Sequence, residues 1–283
     1  MPLGNITRGT TNPNRLRRID RWLQTWPGLR TTADPLVVDL GYGASSVTPW
    51  ELLLRLQKVR PDVDVLGLEI DPERVAMAQA EIEDAPAEVR EHLSFARGGF
   101  EVPTPRKREP IIIRAFNVLR QYDEEDVAEA WMHMLGRVQY GGLVVDGTCD
   151  ELGRIATWIA LYPSGMPPHL DEPGTLYSQP SGPESLTISL RLAELEWPSI
   201  AATRLPKALI HHNVPGERVY DFFEDLDIYW HRNASLSSFG ATQRWIATAE
   251  AMRAAGWPII GGKTRWRLGE LTVEWSAVAP SRR

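Results

Sequence analysis

The stretch from Pro35 to Pro49, PLVVDLGYGASSVTP, constrains this chain more than any other. An apolar run, Leu36-Val37-Val38, ends at Asp39 and breaks into Gly41-Tyr42-Gly43-Ala44-Ser45-Ser46 before a helical pattern begins. That order predicts a buried strand, a tight turn and a helix. Glycine at 41 and 43 lets the backbone turn sharply and lets a ligand come close, because no Cβ intervenes. Thr48-Pro49-Trp50-Glu51 fits a capping box, with Thr48 as N-cap, Pro49 at the first helical position and Glu51 reaching back. A second strand pattern, Val63 to Leu68, ends at Glu69 and is followed by Ile70-Asp71-Pro72. In doubly wound sheets an acid at the end of the second strand takes the ribose hydroxyls of a nucleoside bound over the first turn. Glu69 follows Ser46 by 23 residues, which suits that role.

Strands and helices alternate from here. Leu52, Leu56 and Val59 form one helical stripe, and Val75, Ala78, Ile82 and Val89 another. Leu93 to Ala96 is a weaker strand that ends at Gly98-Gly99-Phe100-Glu101, and Ile111-Ile112-Ile113 is a clear one that runs on into Arg114-Ala115-Phe116-Asn117. Asp123 caps a helix striped by Val127, Ala130, Trp131, Met134, Leu135 and Val138, and Leu143-Val144-Val145 is a fifth strand. Continuous apolar strands with amphipathic crossovers imply a parallel sheet covered on both faces. Arg154 to Tyr162 and Ser185 to Leu192 read as an antiparallel pair, joined by a Pro/Gly-rich loop from Pro163 to Pro183. Beyond Leu192 the pattern is largely helical until strict alternation from Leu271 to Ala277, which Gly269-Glu270 is expected to join to Arg265-Trp266-Arg267-Leu268 as a hairpin. The expected fold is α/β, a Rossmann-like, doubly wound, mostly parallel sheet closed by an antiparallel pair, with a largely helical C-terminal region. The expected organisation is a basic arm and helix over 1–34, a cofactor-binding domain over 35–192 and an accessory, acceptor-binding region with a terminal hairpin over 193–283.

Composition narrows the classes. One cysteine, Cys149, excludes an internal disulfide and a cysteine-rich zinc site, and a reducing cytoplasm is the expected home. No apolar run approaches the roughly 20 residues of a membrane-spanning helix, and the N-terminus lacks the apolar core of a signal peptide. A net charge of -6 argues against a dedicated nucleic-acid binder. Arg8, Arg15, Arg17, Arg18, Arg21 and Arg30 nonetheless make the first thirty residues basic, and a solvated arm paired with the acidic body is the expected reading. Its lead, Thr7-Arg8-Gly9-Thr10-Thr11, either folds over the pocket or frays. His211-His212 and His231 lack metal-ligand spacing, so no metal is expected.

With Asp39-Leu40-Gly41-Tyr42-Gly43, Glu69 and the Ile111 to Leu119 strand in place, the chain resembles the class I S-adenosylmethionine-dependent methyltransferases and, more narrowly, an actinobacterial branch of that superfamily. An acid just before the turn, and Ser46 where a third glycine would stand, separate this motif from the usual dinucleotide fingerprint; a nicotinamide dinucleotide is the alternative cofactor. The resemblance implies that Asp39 and the Gly41-Tyr42-Gly43 backbone face the methionine part of S-adenosylmethionine, that Glu69 takes the ribose, and that Ile70 packs on adenine. Where the family usually has an aspartate for the adenine amino group this chain has Gly98-Gly99-Phe100-Glu101, and a backbone contact at Gly99 or Phe100 is expected instead. Asn117 and Val118 are expected beside the transferable methyl.

Methyl transfer from a sulfonium needs little beyond an acceptor held in line and water kept out, so no obligatory catalytic residue follows. Should the acceptor lose a proton, Tyr122, Asp146, Asp150 and Glu151 at strand carboxyl ends are the candidate bases, each with a structural reading beside it. Arg114 and Arg120 are candidates to clamp a carboxylate or phosphate, or to pair with local acids. A small or medium-sized acceptor is the expected substrate, with S-adenosylhomocysteine as the product. The alternatives are an RNA methyltransferase whose arginine-rich arm holds phosphates, and a cofactor-binding protein without turnover. The acceptor's identity and the oligomeric state are not legible in the sequence.

Overall fold

A computed structural model describes residues 2–163 and 182–281. In chain order the elements are α1 (Arg17–Leu23), α2 (Pro27–Thr31), β1 (Leu36–Leu40), α3 (Val47–Leu56), β2 (Asp64–Glu69), α4 (Pro72–Glu83), α5 (Ala87–His92), β3 (Leu93–Arg97), β4 (Ile112–Phe116), α6 (Glu124–Leu135), β5 (Leu143–Cys149), β6 (Ile155–Tyr162), β7 (Gly182–Leu190), α7 (Lys207–Ile210), α8 (Arg218–Arg232), α9 (Ala241–Ala254), β8 (Ile259–Ile260), α10 (Lys263–Trp266) and β9 (Glu270–Glu274). The strands form a nine-stranded sheet in the order β3-β2-β1-β4-β5-β6-β7-β9-β8. β1 to β5 run parallel, while β6 and β7 are antiparallel and close the parallel half. Nearly all of the loop expected from Pro163 to Pro183 lies outside the described residues.

The parallel strands are buried along almost their whole length because both faces are covered. On one face Val37, Val65, Ile112 and Val145 pack with Ile19 and Leu23 of α1, Leu52, Leu53 and Leu56 of α3 and Ala78 of α4. On the other, Val38, Leu66, Ile113 and Val144 pack with α6, α8 and α9 through residues such as Met134, Phe222 and Trp245. The chain therefore leaves β1 towards one face and β4 towards the other. β1 and β4 are neighbours, and a crevice opens between their carboxyl ends.

Three local expectations are corrected. The capping box at Thr48 does not form: α3 begins at Val47, and the Thr48 hydroxyl turns inward to Asp39 Oδ2 at 3.3 Å. Glu51 instead accepts from the Asn14 backbone N–H and pairs with Arg55. The helix expected across Val75 to Val89 splits into α4 and α5, because Pro86 cannot continue it and stands as the N-cap of α5. The terminal strand does not pair with Arg265 to Leu268, since burial of Trp266 draws that segment into α10 and a following turn. β9 pairs with β7 and with Ile259–Ile260 of β8, so the C-terminal segment extends the central sheet. Gly269 makes this possible: its φ is +81°, and a Cβ there would meet the Leu190 carbonyl at 2.1 Å.

Candidate functional site

Two hollows that share Thr7 and Gly41 in their walls lie in the crevice. The larger, about 480 Å³, is bordered by Asp39, Gly41, Tyr42 and Gly43 on the β1 side and by Phe116, Asn117, Arg120 and Gln121 on the β4 side. The smaller is lined by Gly41, Glu69, Ile70, Gly98, Gly99, Phe100, Val118 and Tyr122. Every residue the sequence assigned to the cofactor borders one of the two. Gly41 has φ +69°, and a Cβ there would meet Val118 Cγ2 at 2.6 Å, so only glycine lets the turn lie under the β4 loop. Across from it Glu69, 2 % exposed, accepts from the Gly43 N–H at 3.2 Å and the Ile70 N–H at 2.9 Å, with Arg74 Nη1 at 3.7 Å. Its carboxylate is thus aimed at the glycine turn by the backbone on both sides. Asn117, at φ +60°, holds the opposite wall: its N–H donates to Gly147 O at 2.7 Å and its Oδ1 accepts from Cys149 N–H at 3.0 Å. Left-handed backbone is tolerable for asparagine and is commonly stored at functional sites.

The N-terminal arm lies inside this crevice, which resolves the choice between folding over and fraying. Leu3 N–H donates to Glu101 Oε2 at 2.6 Å, and Leu3 O accepts from Phe100 N–H at 3.0 Å. Gly4 sits among Ile70, Phe100 and Tyr122; a Cβ on it would meet Ile70 Cδ1 at 3.1 Å and Phe100 Cε2 at 3.2 Å. Asn5 N–H donates to the Tyr122 hydroxyl at 2.5 Å, and that hydroxyl donates back to Asn5 O at 3.1 Å. Arg74 Nη2 holds Thr7 O at 2.9 Å, and Gly9 O accepts from Ala44 N–H at 2.9 Å. A Cβ on Gly99 would strike Leu3 O at 2.0 Å, and one on Gly43 would strike Gly9 O at 2.7 Å. The arm's peptides therefore fill the space between Ile70 and Phe100, with a donor and an acceptor on Leu3 presented side by side.

Arg15, Arg17 and Arg18 are not a solvated fringe. Arg15 donates to Thr10 O and Asp150 O, Arg17 to Leu152 O and Arg18 to Gly153 O and Ser189 Oγ. They fasten the start of α1 to the turn after β5.

Asp39 borders the larger hollow but is already engaged. Register places it beside Arg114 on β4, whose fully buried guanidinium grips both Asp39 oxygens, at 2.9 and 2.6 Å, together with Asp20 and Thr48 O. Burial alone would lower the Arg114 pKa, but the Asp39 and Asp20 carboxylates outweigh it and hold it above the ordinary range. Burial pushes the Asp20 carboxyl up, against the pull of Arg114 and Arg55. Arg114 is thus no clamp for a ligand.

The candidate bases separate. Asp146 points away from both hollows into the face covered by α6, where it accepts from Trp131 Nε1 at 3.0 Å; burial pushes its carboxyl up to about 7. Asp150 closes a turn by accepting from the N–H groups of Arg154 and Ile155. Tyr122, its pKa raised by burial, is tied to Asn5. Glu151 borders the larger hollow and is exposed there. Cys149 is buried, which raises its thiol pKa, and it contacts Asn117 Nδ2 at 3.4 Å. Among the described residues no group of three or more His, Cys, Asp or Glu could hold a metal ion.

Sequence reasoning missed Glu101, whose side chain reaches the Leu3 and Gly99 N–H groups, and Arg204, which enters the larger hollow from the segment after β7. Glu101 stood in the motif already singled out and its acidity was the available signal. Arg204 had none, because it comes from a segment with no pattern linking it to the β1 turn.

No known family profile matches the chain, and comparison with curated proteins returns no match. Among solved structures it is similar to the glycopeptide N-methyltransferase MtfA in complex with S-adenosyl-L-homocysteine, at 15% identity and TM-score 0.38 over 51% of this chain and 57% of that one. It is likewise similar to the magnesium protoporphyrin IX methyltransferase ChlM from Synechocystis PCC 6803, at 15% identity and TM-score 0.37 over 48% and 55%. The N-methyltransferase NodS from Bradyrhizobium japonicum WM9 matches at 15% identity and TM-score 0.32 over 47% and 66%. The chain spans about half the length of the first of these structures. At such values the α/β assignment rests on the strand order itself: five parallel strands, wound in both directions from β1 and β4, closed by antiparallel strands.

Proposed function

We propose that this protein transfers a methyl group from S-adenosylmethionine to a small or medium-sized acceptor and releases S-adenosylhomocysteine. The observation that carries the reading is the seat taken by Leu3 and Gly4. Phe100 N–H and Glu101 present there an acceptor-seeking and a donor-seeking group side by side, between the apolar walls of Ile70 and Phe100, with the buried Glu69 carboxylate and the Gly41 to Gly43 turn next along the groove. An adenine edge, a ribose diol and an amino-acid tail need those groups in that order. The residues fit the cofactor once the arm withdraws from the seat.

The bound cofactor supplies a methyl group already activated on a sulfonium. The chain's own contribution is position: Glu69 and Phe100 orient the nucleoside, the glycine turn admits the tail, and the Asn117 loop walls the hollow in which the acceptor must lie. Where the acceptor gives up a proton, Glu151 is the proposed base, a reading supported by its exposed place at the border of the larger hollow. Arg15, Arg17 and Arg18 donate inward to backbone carbonyls, which takes these three away from the phosphate contacts the RNA reading needs. Replacing Glu69 by alanine is expected to weaken S-adenosylhomocysteine binding by one to two orders of magnitude, about 1.5–3 kcal/mol for charge-assisted hydrogen bonds left unmade. Unchanged affinity in calorimetry would remove the ribose assignment.

A further inference from the structure

The protein is acidic overall, with a net charge of -6, yet the larger hollow is bordered by Arg8, Arg15, Arg120 and Arg204 and by only two acids, Asp39 and Glu151. Asp39 is held by Arg114, and Arg15 donates to the carbonyls of Thr10 and Asp150. Arg120 and Arg204 are in a different condition. Arg120 Nη2 donates to Thr203 O at 3.1 Å, while its Nη1 is closed off from solvent with no acceptor. Burial lowers the Arg120 pKa, and so does the charge of Arg204 beside it. No carboxylate among the described residues pairs with either guanidinium. Two neighbouring like charges, one of them with an orphaned donor, are unfavourable unless an anion completes the arrangement.

Their placement is fixed from within the fold. Arg120 stands on the single 3-10 turn Leu119–Gln121 that follows β4. Arg204 ends the 3-10 segment Pro198–Arg204, and its carbonyl accepts from the hydroxyls of Thr148 on β5 and Thr157 on β6, both fully buried. A planar fork set this way matches the two oxygens of a carboxylate or phosphate.

We propose that Arg120 and Arg204 bind a carboxylate or phosphate carried by the methyl acceptor, which makes the substrate an anion. This rests on the methyl-transfer reading above. The same chemistry could come from the cofactor's own α-carboxylate, so the test separates the two sources. The full-length protein is titrated calorimetrically with benzoate, phenyl phosphate and neutral benzamide, alone and with saturating S-adenosylhomocysteine, in the native form and as Arg120→Gln, Arg204→Gln and Arg120→Lys. Benzoate or phenyl phosphate is expected to bind and benzamide not. Both glutamine variants should lose at least roughly tenfold in anion affinity, as for a charge-assisted hydrogen bond, and keep S-adenosylhomocysteine affinity within about twofold. Arg120→Lys keeps the charge but not the fork, and is expected to fall between native and glutamine forms. Equal binding of benzamide and benzoate, or anion affinity untouched by the variants, would overturn the proposal. Loss of S-adenosylhomocysteine affinity in the variants would overturn it too, by assigning the pair to the cofactor. Arginine-dependent anion binding by a protein that ignores S-adenosylhomocysteine would uphold the anion site and sink the methyl-transfer reading alone.

Discussion

Arg114 shows how much one side chain can decide. From the sequence it was a clamp or a structural ion; the parallel register of β1 and β4 sets it against Asp39, and α1 brings Asp20 to its other side. Replacing it with alanine is expected to leave the buried Asp39 without a counter-ion and the buried Asp20 with Arg55 alone, and to cost about 3–5 kcal/mol of stability, measured by denaturant unfolding. A loss under 1 kcal/mol, the scale of a surface pair, would contradict that. Asp146 makes a second prediction, this time about pH. Its folded pKa of about 7 lies above the ordinary 3.8, so the folded state holds the proton more tightly and stability falls as pH rises from about 4 to about 7, then levels off. Asp146→Asn keeps an acceptor for Trp131 and is expected to flatten that slope and to raise stability at pH 8, by up to roughly 4 kcal/mol. An unchanged slope would mean the carboxyl is charged in the fold. The turn at Gly41 and Gly43 and its closeness to Glu69 were legible because a tight turn between a buried strand and a helix has few solutions. The partners of Asp39 and Asp146 were not, since they come from elements far along the chain.

Among the elements, the arm holds the most consequence. Its polar lead has no periodicity, so sequence left two outcomes open; what decides between them is fit, with Gly4 and Gly9 at φ +119° and +71° passing through spaces where a Cβ would collide. The arm satisfies Phe100, Glu101 and Tyr122, and under the proposed function it competes with the nucleoside for them. Removing residues 2–8 is therefore expected to tighten S-adenosylhomocysteine binding, by roughly five- to a hundredfold for a coupling of ordinary size. Weaker binding in the shortened protein would show instead that the arm completes the cofactor site. The helices and parallel strands, by contrast, were readable almost residue by residue, since apolar stripes and continuous apolar runs are local signals. Their ends were less so: Pro86 splits α4 from α5, and Thr48 leaves its expected cap for a buried carboxylate.

Over the whole molecule the doubly wound half and the helical run beyond Leu192 were legible, and the docking of the C-terminal end was not. The alternation there did announce a strand, but the partner could not be read from local pattern: β9 docks on β7, and Leu271 and Val273 join the same core as Val38 and Ile113. A chain ending at Leu192 would leave β7 an unpaired edge and uncover that core, and is expected to aggregate or to bind hydrophobic dyes. The site depends on the same closure, because Arg204 reaches the hollow only from beyond β7. The proposed function turns on whether the crevice accepts S-adenosylmethionine. Calorimetric titration of the purified protein, full length and lacking residues 2–8, with S-adenosylmethionine, S-adenosylhomocysteine and NAD tests it most directly. The account predicts that both forms bind the first two and ignore NAD, the shortened form more tightly; binding of NAD alone, or of none of the three by either form, would contradict it.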